Sequence, residues 1–119
     1  MAFNQDIINI ITEGIQEKKG RGITIIGLSG IDMASTGAFV VCEGRSPSQV
    51  SAIADSVREH VQKATGRKPL NYDGYRNSQW IIVDYGEVML HVFLPETRQY
   101  YNLEDLWADA EICRLPDLD

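Results

Sequence analysis

Cysteine, histidine and basic charge are scarce in this chain, and each scarcity removes a class of function. The two cysteines, Cys42 and Cys113, lie far apart and belong to no metal-spaced cluster, so neither a disulfide framework nor a zinc site is expected. Both are expected to be reduced, as in a cytosol, with Cys42 a small buried hydrophobe in an apolar run. His60 and His91 are the only histidines, and their spacing matches no metal motif. A Walker loop and a dinucleotide fingerprint are both missing. No apolar run approaches the ~18 residues of a membrane span. The start, Met-Ala-Phe-Asn-Gln-Asp, lacks a basic n-region followed by an apolar stretch, and it is not Arg-rich, so no signal or transit peptide is expected and the expected location is the cytoplasm.

Lys and Arg total 11 against 17 Asp and Glu, a net charge of −6. An acidic protein is a poor candidate for nucleic-acid binding, because phosphate contacts need cations to displace counterions. Most of the excess lies late in the chain. Glu96, Glu104, Asp105, Asp109, Glu111, Asp117 and Asp119 face only Arg98 and Arg114 there. Those acids either keep the surface soluble or complement a basic protein partner.

What is present is the composition of one ordinary globular domain, 119 residues with 44% hydrophobic and 24% charged side chains. Phe3, Ile7, Ile11 and Ile15, with Ile8 beside them, mark one face of a helix over about residues 4–19, stopped by Gly20. Residues 23–28 and 38–42 read as strands, separated by a Gly/Ser/Thr-rich loop at 29–37. Ser46-Pro47-Ser48-Gln49 is the clearest helix start, a capping box with Pro at the first position. Val50, Ile53, Ala54, Val57, Val61 and Ala64 then form an apolar face up to Gly66. Residues 69–72 read as a short strand, and 79–85 and 88–94 as a hairpin around Gly86, with Gly86-Glu87 suiting a type II′ turn and Tyr85-Gly86 the other two-residue option. After Pro95 comes a polar, aromatic stretch. Asn102 can cap a short helix at 103–110. The expected organisation is a single mixed-sheet α+β domain over residues 1–110, with 111–119 an acidic tail that frays.

Alternation places Ile81, Val83, Tyr85, Val88, Leu90 and Val92 on one hairpin face, which is pure core. Trp80, Ile82, Asp84, Met89, His91 and Phe93 share the other. That second face is either covered by helices, with His91 a satisfied buried histidine, or part of it is an exposed docking surface.

Few residues suggest chemistry. Gly27-Leu28-Ser29-Gly30-Ile31 lacks the second glycine of a nucleophile elbow. Ser29 and Asp32 resemble the start of a nucleotidyltransferase site, yet Ala34 stands where a second Mg²⁺-binding carboxylate belongs. Lys63, Arg67 and Lys68 form a small basic cluster at the end of the second helix. It either complements the helix dipole or makes a minor contact to RNA, which the likeness described next would make ribosomal.

The string Trp80-Ile81-Ile82-Val83-Asp84-Tyr85-Gly86-Glu87-Val88, then Leu90-His91-Val92-Phe93, then Arg98-Gln99-Tyr100-Tyr101-Asn102-Leu103-Glu104-Asp105-Leu106-Trp107, resembles the Iojap/RsfS family of ribosomal silencing factors. Glu43-Gly44-Arg45-Ser46 and Asp73-Gly74 extend the likeness, though Asp73 stands where Glu is usual and Gly37 where Asp is usual. The resemblance implies a nucleotidyltransferase-like fold without catalytic carboxylates, no cofactor and no enzyme activity. It also implies docking on a conserved β-barrel protein of the large ribosomal subunit, which keeps the small subunit from joining and damps translation when nutrients are scarce. The docking residues expected on that basis are Trp80, Asp84, His91, Phe93, Arg98, Tyr101, Leu103 and Glu104. Leu106 and Trp107 belong to either the interface or the packing of the last helix. Two other readings stand beside it: a Mg²⁺-dependent nucleotide-using enzyme built on Ser29 and Asp32, and an adaptor whose second sheet face forms a homodimer.

Overall fold

The structure, a computed structural model, describes residues 5–28, 37–107 and 109–118. In chain order the elements are α1 (Gln5–Glu17), β1 (Arg21–Gly27), β2 (Ala38–Glu43), α2 (Pro47–Thr65), β3 (Asn71–Asp73), β4 (Trp80–Asp84), β5 (Val88–Phe93), α3 (Pro95–Tyr101), α4 (Leu103–Leu106) and β6 (Glu111–Arg114). The strands form one six-stranded sheet in the order β3-β4-β5-β2-β1-β6. Among the described residues only β2 and β5 run parallel; every other neighbouring pair is antiparallel. The domain is therefore a mixed α+β unit, as expected. Among the described residues no helix is long and apolar enough to cross a membrane.

The main core forms where the isoleucine stripe of α1 and the apolar face of α2 cover one side of the sheet. Ile7, Ile8, Ile11 and Ile15 meet Val50, Ile53, Ala54, Val57 and Val61 above Val40, Cys42, Ile81, Val83, Leu90 and Val92, all fully buried or nearly so. Each such aliphatic side chain contributes about 2 kcal/mol by leaving water. The two helices cross closely because Gly14 has no side chain: a Cβ there would sit 2.8 Å from the Val57 Cα. The Ser56 hydroxyl uses that proximity to donate to the Gly14 carbonyl (2.8 Å). Burial pushes the Cys42 thiol up to about 12, leaving it un-ionised and inert.

Local signals account for most boundaries. Ser46 Oγ accepts from the Gln49 amide (3.1 Å), and Gln49 Oε1 accepts from the Arg45 amide (2.7 Å). Gly66 closes α2 in the left-handed region, φ 77°. Tyr85 and Val88 flank Gly86-Glu87, and Ile81 pairs with Val92, so the hairpin has the expected two-residue loop and faces.

Three expectations are corrected. Residues 95–101, which read as an irregular stretch, form α3, which starts at Pro95 but buries none of its residues and so carries no apolar periodicity. Residues 111–119, expected to fray, do not all do so: 111–114 form β6, an edge strand paired with β1, with Ile112 opposite Ile26. The helix expected at 103–110 stops at Leu106, because Trp107 leaves helical backbone at φ −112°, ψ 41° and packs against the core. Phe3 and most of the loop, including Ser29, Asp32 and Ala34, lie outside the described residues. Replacing Ser46 with Ala is expected to lower the unfolding free energy by about 1 kcal/mol in urea titrations, the usual cost of losing an N-cap.

Candidate functional site

The second face of the sheet has no long helix over it among the described residues. It carries instead a strip of aromatic rings, partly roofed by α3, α4 and the turn after them. Phe93 stacks on Trp80 (centroids 4.9 Å, 25°), and Trp80 leans on Tyr101 (4.6 Å). His91 lies edge-on to Phe39 (4.5 Å), which meets Trp107 edge-on (6.0 Å). Tyr100 continues the strip beyond Tyr101 (5.0 Å). Ile26, Val41 and Leu103 fill in below.

The eight residues expected to dock divide by depth. Phe93 is 1% exposed, His91 3% and Leu103 8%. These three form the floor of the strip and not its surface, because α3, α4 and Trp107 fold back over them. Trp80 and Asp84 are half-buried, and Tyr101 is 46% exposed. Asp84 also serves within the fold, where its Oδ1 accepts from the Gly86 amide (2.8 Å) and steadies the hairpin turn. Sequence reasoning missed Tyr100, 82% exposed, and left Leu106, 71% exposed, undecided. Tyr100 packs against Tyr101 on α3, and Leu106 is exposed on the neighbouring α4. Exposed Glu96, Asp105, Asp109 and Glu111 are carried on the same stretch of chain. An aromatic pair a few residues after Pro95, in an otherwise polar stretch, was the available signal. Beside the patch, Asp73, Arg76, Gln79, Trp80, Thr97 and Tyr101 line a depression of about 310 Å³. Gly74 shapes its wall: at φ 101° it packs where any Cβ would strike the Trp80 carbonyl.

Arg98 and Glu104 serve inside the molecule. The Arg98 guanidinium donates to Glu43 Oε1 (3.1 Å), Thr24 Oγ1 (3.0 Å) and Glu104 Oε2 (3.3 Å), with its side chain only 12% exposed. It therefore fastens α3 and α4 to the middle of β1 and the end of β2. Breaking a buried ion pair from one side leaves uncompensated charge. Arg98→Ala is thus expected to cost about 3 kcal/mol in denaturation and to raise amide exchange across residues 95–107.

His91 is held neutral. The Trp80 indole N–H donates to His91 Nδ1 (3.1 Å), so the ring proton sits on Nε2, which has no hydrogen-bond partner among the described residues. Burial lowers its pKa to about 4. The unfolded chain therefore takes up this proton first as pH falls. Stability should drop between about 6.5 and about 4, by roughly 3 kcal/mol. Urea midpoints measured across that range should show the slope, and His91→Phe should flatten it.

Two members of the basic cluster at the end of α2 make contacts within the molecule. Arg67 donates to Glu87 (2.7 and 2.9 Å) and to the Tyr85 carbonyl (2.7 Å), and Lys63 pairs with Glu59. Among the described residues no group of three or more His, Cys, Asp or Glu is placed to hold a metal.

Comparisons with known proteins agree on one family. The family described as "Ribosomal silencing factor during starvation" matches residues 3–119. A "Ribosomal silencing factor RsfS" of Halalkalibacterium halodurans is 33% identical, with 94% of each chain covered. A solved protein of Chromobacterium violaceum superposes with a TM-score of 0.82 at 32% identity, covering 87% of this chain and 85% of its own. A more distant relative, the mouse "Mitochondrial assembly of ribosomal large subunit protein 1", is 28% identical, and the alignment spans 45% of its length.

Proposed function

The chain belongs to the ribosomal silencing factor (RsfS/Iojap) family, and from that premise we propose that it docks on a protein of the large ribosomal subunit and sterically keeps the small subunit from joining. The observation that carries this is the exposed pair Tyr100 and Tyr101, backed by Trp80, with exposed Leu106 and exposed acids on the same stretch of chain. Tyr and Trp dominate binding hot spots, and exposed acids on the same segment fit a basic ribosomal protein. The relative named for large-subunit assembly points to the same half of the ribosome.

A block of this kind needs no bond-making step. A folded body held at the joint between two subunits excludes the second by volume, and the tightness of the grip sets how well it competes. The buried floor of Phe93, His91 and Leu103 supports that grip by holding the exposed rings in one arrangement, so little rotamer entropy is lost on docking. The partner contacts are then made by Trp80, Asp84, Tyr100, Tyr101 and Leu106. On this reading its place of action is the cytoplasm, where the ribosomes of bacterial relatives such as that of Halalkalibacterium halodurans work.

Purified protein should co-sediment with free large subunits and inhibit joining in a light-scattering assay. Tyr101→Ala and Tyr100→Ala should each leave the fold intact and weaken binding by about 2 kcal/mol where the ring is a hot spot. Unchanged subunit joining at saturating protein would sink the proposal. Sedimentation of the free protein at micromolar concentration tests the homodimer: a dimer that dissociates on adding large subunits would mean that one surface serves both partners in turn.

A further inference from the structure

The end of the sheet where β1 begins carries a second surface of opposite charge. Gln49 builds it. Its Oε1 accepts from the Arg45 amide (2.7 Å), while its Nε2 donates to the carbonyls of Lys18 (3.0 Å) and Lys19 (3.3 Å). One amide side chain thus fastens the turn after α1 to the start of α2. Lys19, turned into the left-handed region at φ 60°, is part of that turn. The result is a depression of about 490 Å³ lined by Lys19, Arg21, Arg45, Gln49 and Leu118. Three cations from two segments, the α1–β1 junction and the turn before α2, line it, and none of the described residues in its wall is a carboxylate.

An oxyanion already sits at its rim. Asp117, from the chain's own last residues, places Oδ1 on the Gly22 amide (2.8 Å) and Oδ2 on the Arg21 guanidinium (3.1 Å). A backbone N–H beside an arginine fork is the donor set that holds the two non-bridging oxygens of a phosphodiester. Arg98, which anchors α3, packs against Gly22 so tightly that a Cβ there would lie 2.6 Å from its guanidinium.

We propose that this depression is a contact site for the phosphate backbone of RNA, formed by Lys19, Arg21, Arg45 and the Gly22 amide, with Asp117 as a built-in competitor. The source of the RNA rests on the ribosome-docking reading, since the ribosome presents phosphate backbone next to its proteins. The contact is weak by itself. About three phosphates neutralised predict a salt slope near −2 on single strands. Its value comes after the aromatic patch has docked, when the local RNA concentration is effectively millimolar.

The test uses the full chain and fluorescein-labelled ribosomal RNA fragments, single-stranded and hairpin, by anisotropy at low salt. Binding should weaken with salt at a log–log slope of about −2, and Arg45→Gln should lower affinity several-fold and reduce the slope by about one. Asp117→Asn keeps an acceptor for Gly22, removes the competing charge and should raise affinity several-fold, with an unchanged urea midpoint showing that the fold is intact. Tyr101→Ala should leave RNA affinity unchanged while weakening large-subunit binding, so failure of the docking surface and failure of this site are read separately. The proposal is overturned if neither wild type nor Asp117→Asn binds RNA. It is equally overturned if Lys19→Gln and Arg45→Gln bind as wild type does, or if a polyglutamate peptide binds as tightly as RNA and responds to the same substitutions.

Discussion

The Arg98 guanidinium joins three segments that local preference would leave apart. It reaches from α3 to Glu43 at the end of β2, to Thr24 on β1 and to Glu104 on α4. Neither helix could hold its place unaided. α3 has seven residues, none buried, and no side-chain cap at Leu94; α4 has four residues and buries only Leu103. Helices this short are unstable in isolation, because nucleation costs more than a turn or two of hydrogen bonds returns. Their position depends on the planar fork of arginine, which addresses three acceptors at once where lysine would present a single point charge. Tyr100, Tyr101 and Leu106 of the proposed docking patch all ride on these two helices, so the patch inherits its geometry from a salt-bridge network beneath it.

That dependence explains which parts of the structure were legible in the sequence. The stripe Ile7, Ile11, Ile15, the Ser46 cap and the alternation of the β4–β5 hairpin are local signals with periods of their own, and each appears in the fold as read. α3 was not legible because its reason for existing is long-range: a proline start, one arginine reaching a carboxylate 55 positions away, and no apolar face. β6 was hidden for the same reason, since a four-residue strand with three exposed members gains definition only from pairing with β1. At the site, period-two alternation sorted the hairpin side chains onto the correct faces. It could not say how deep each would lie, because depth is set by the C-terminal segment folding back. His91, Phe93 and Leu103 therefore belong to the floor, and Arg98 and Glu104 to the frame.

The buried floor has a chemical character suited to its place. A neutral imidazole accepts the Trp80 indole N–H and fixes that ring from one side, while Phe93 stacks on it from another. The cost is a buried Nε2–H without a partner among the described residues and a proton affinity depressed by burial. Trp80 gains a defined orientation in return, and through it Tyr101, 4.6 Å away. A hot-spot ring that is already immobile loses little freedom when it docks, so a small patch can hold a partner more tightly than its area alone suggests.

Net charge is a poor guide to what this surface can meet. The total of −6 argues against nucleic acid, yet the charges are not mixed. Glu43 and Glu104 are spent on Arg98, and Glu87 on Arg67. Much of the exposed acid lies on α3, α4 and the turn into β6. The basic cluster visible in sequence at Lys63, Arg67 and Lys68 has its first two members drawn into helix and hairpin contacts. Lys19, Arg21 and Arg45, unremarkable along the chain, are instead gathered by Gln49 into one depression. With a Debye length of about 8 Å at physiological salt, surface patches separated by more than that distance act independently. A domain whose sum is acidic can therefore present an acidic aromatic surface to a basic protein and a basic hollow to RNA. The ribosome offers both partners side by side.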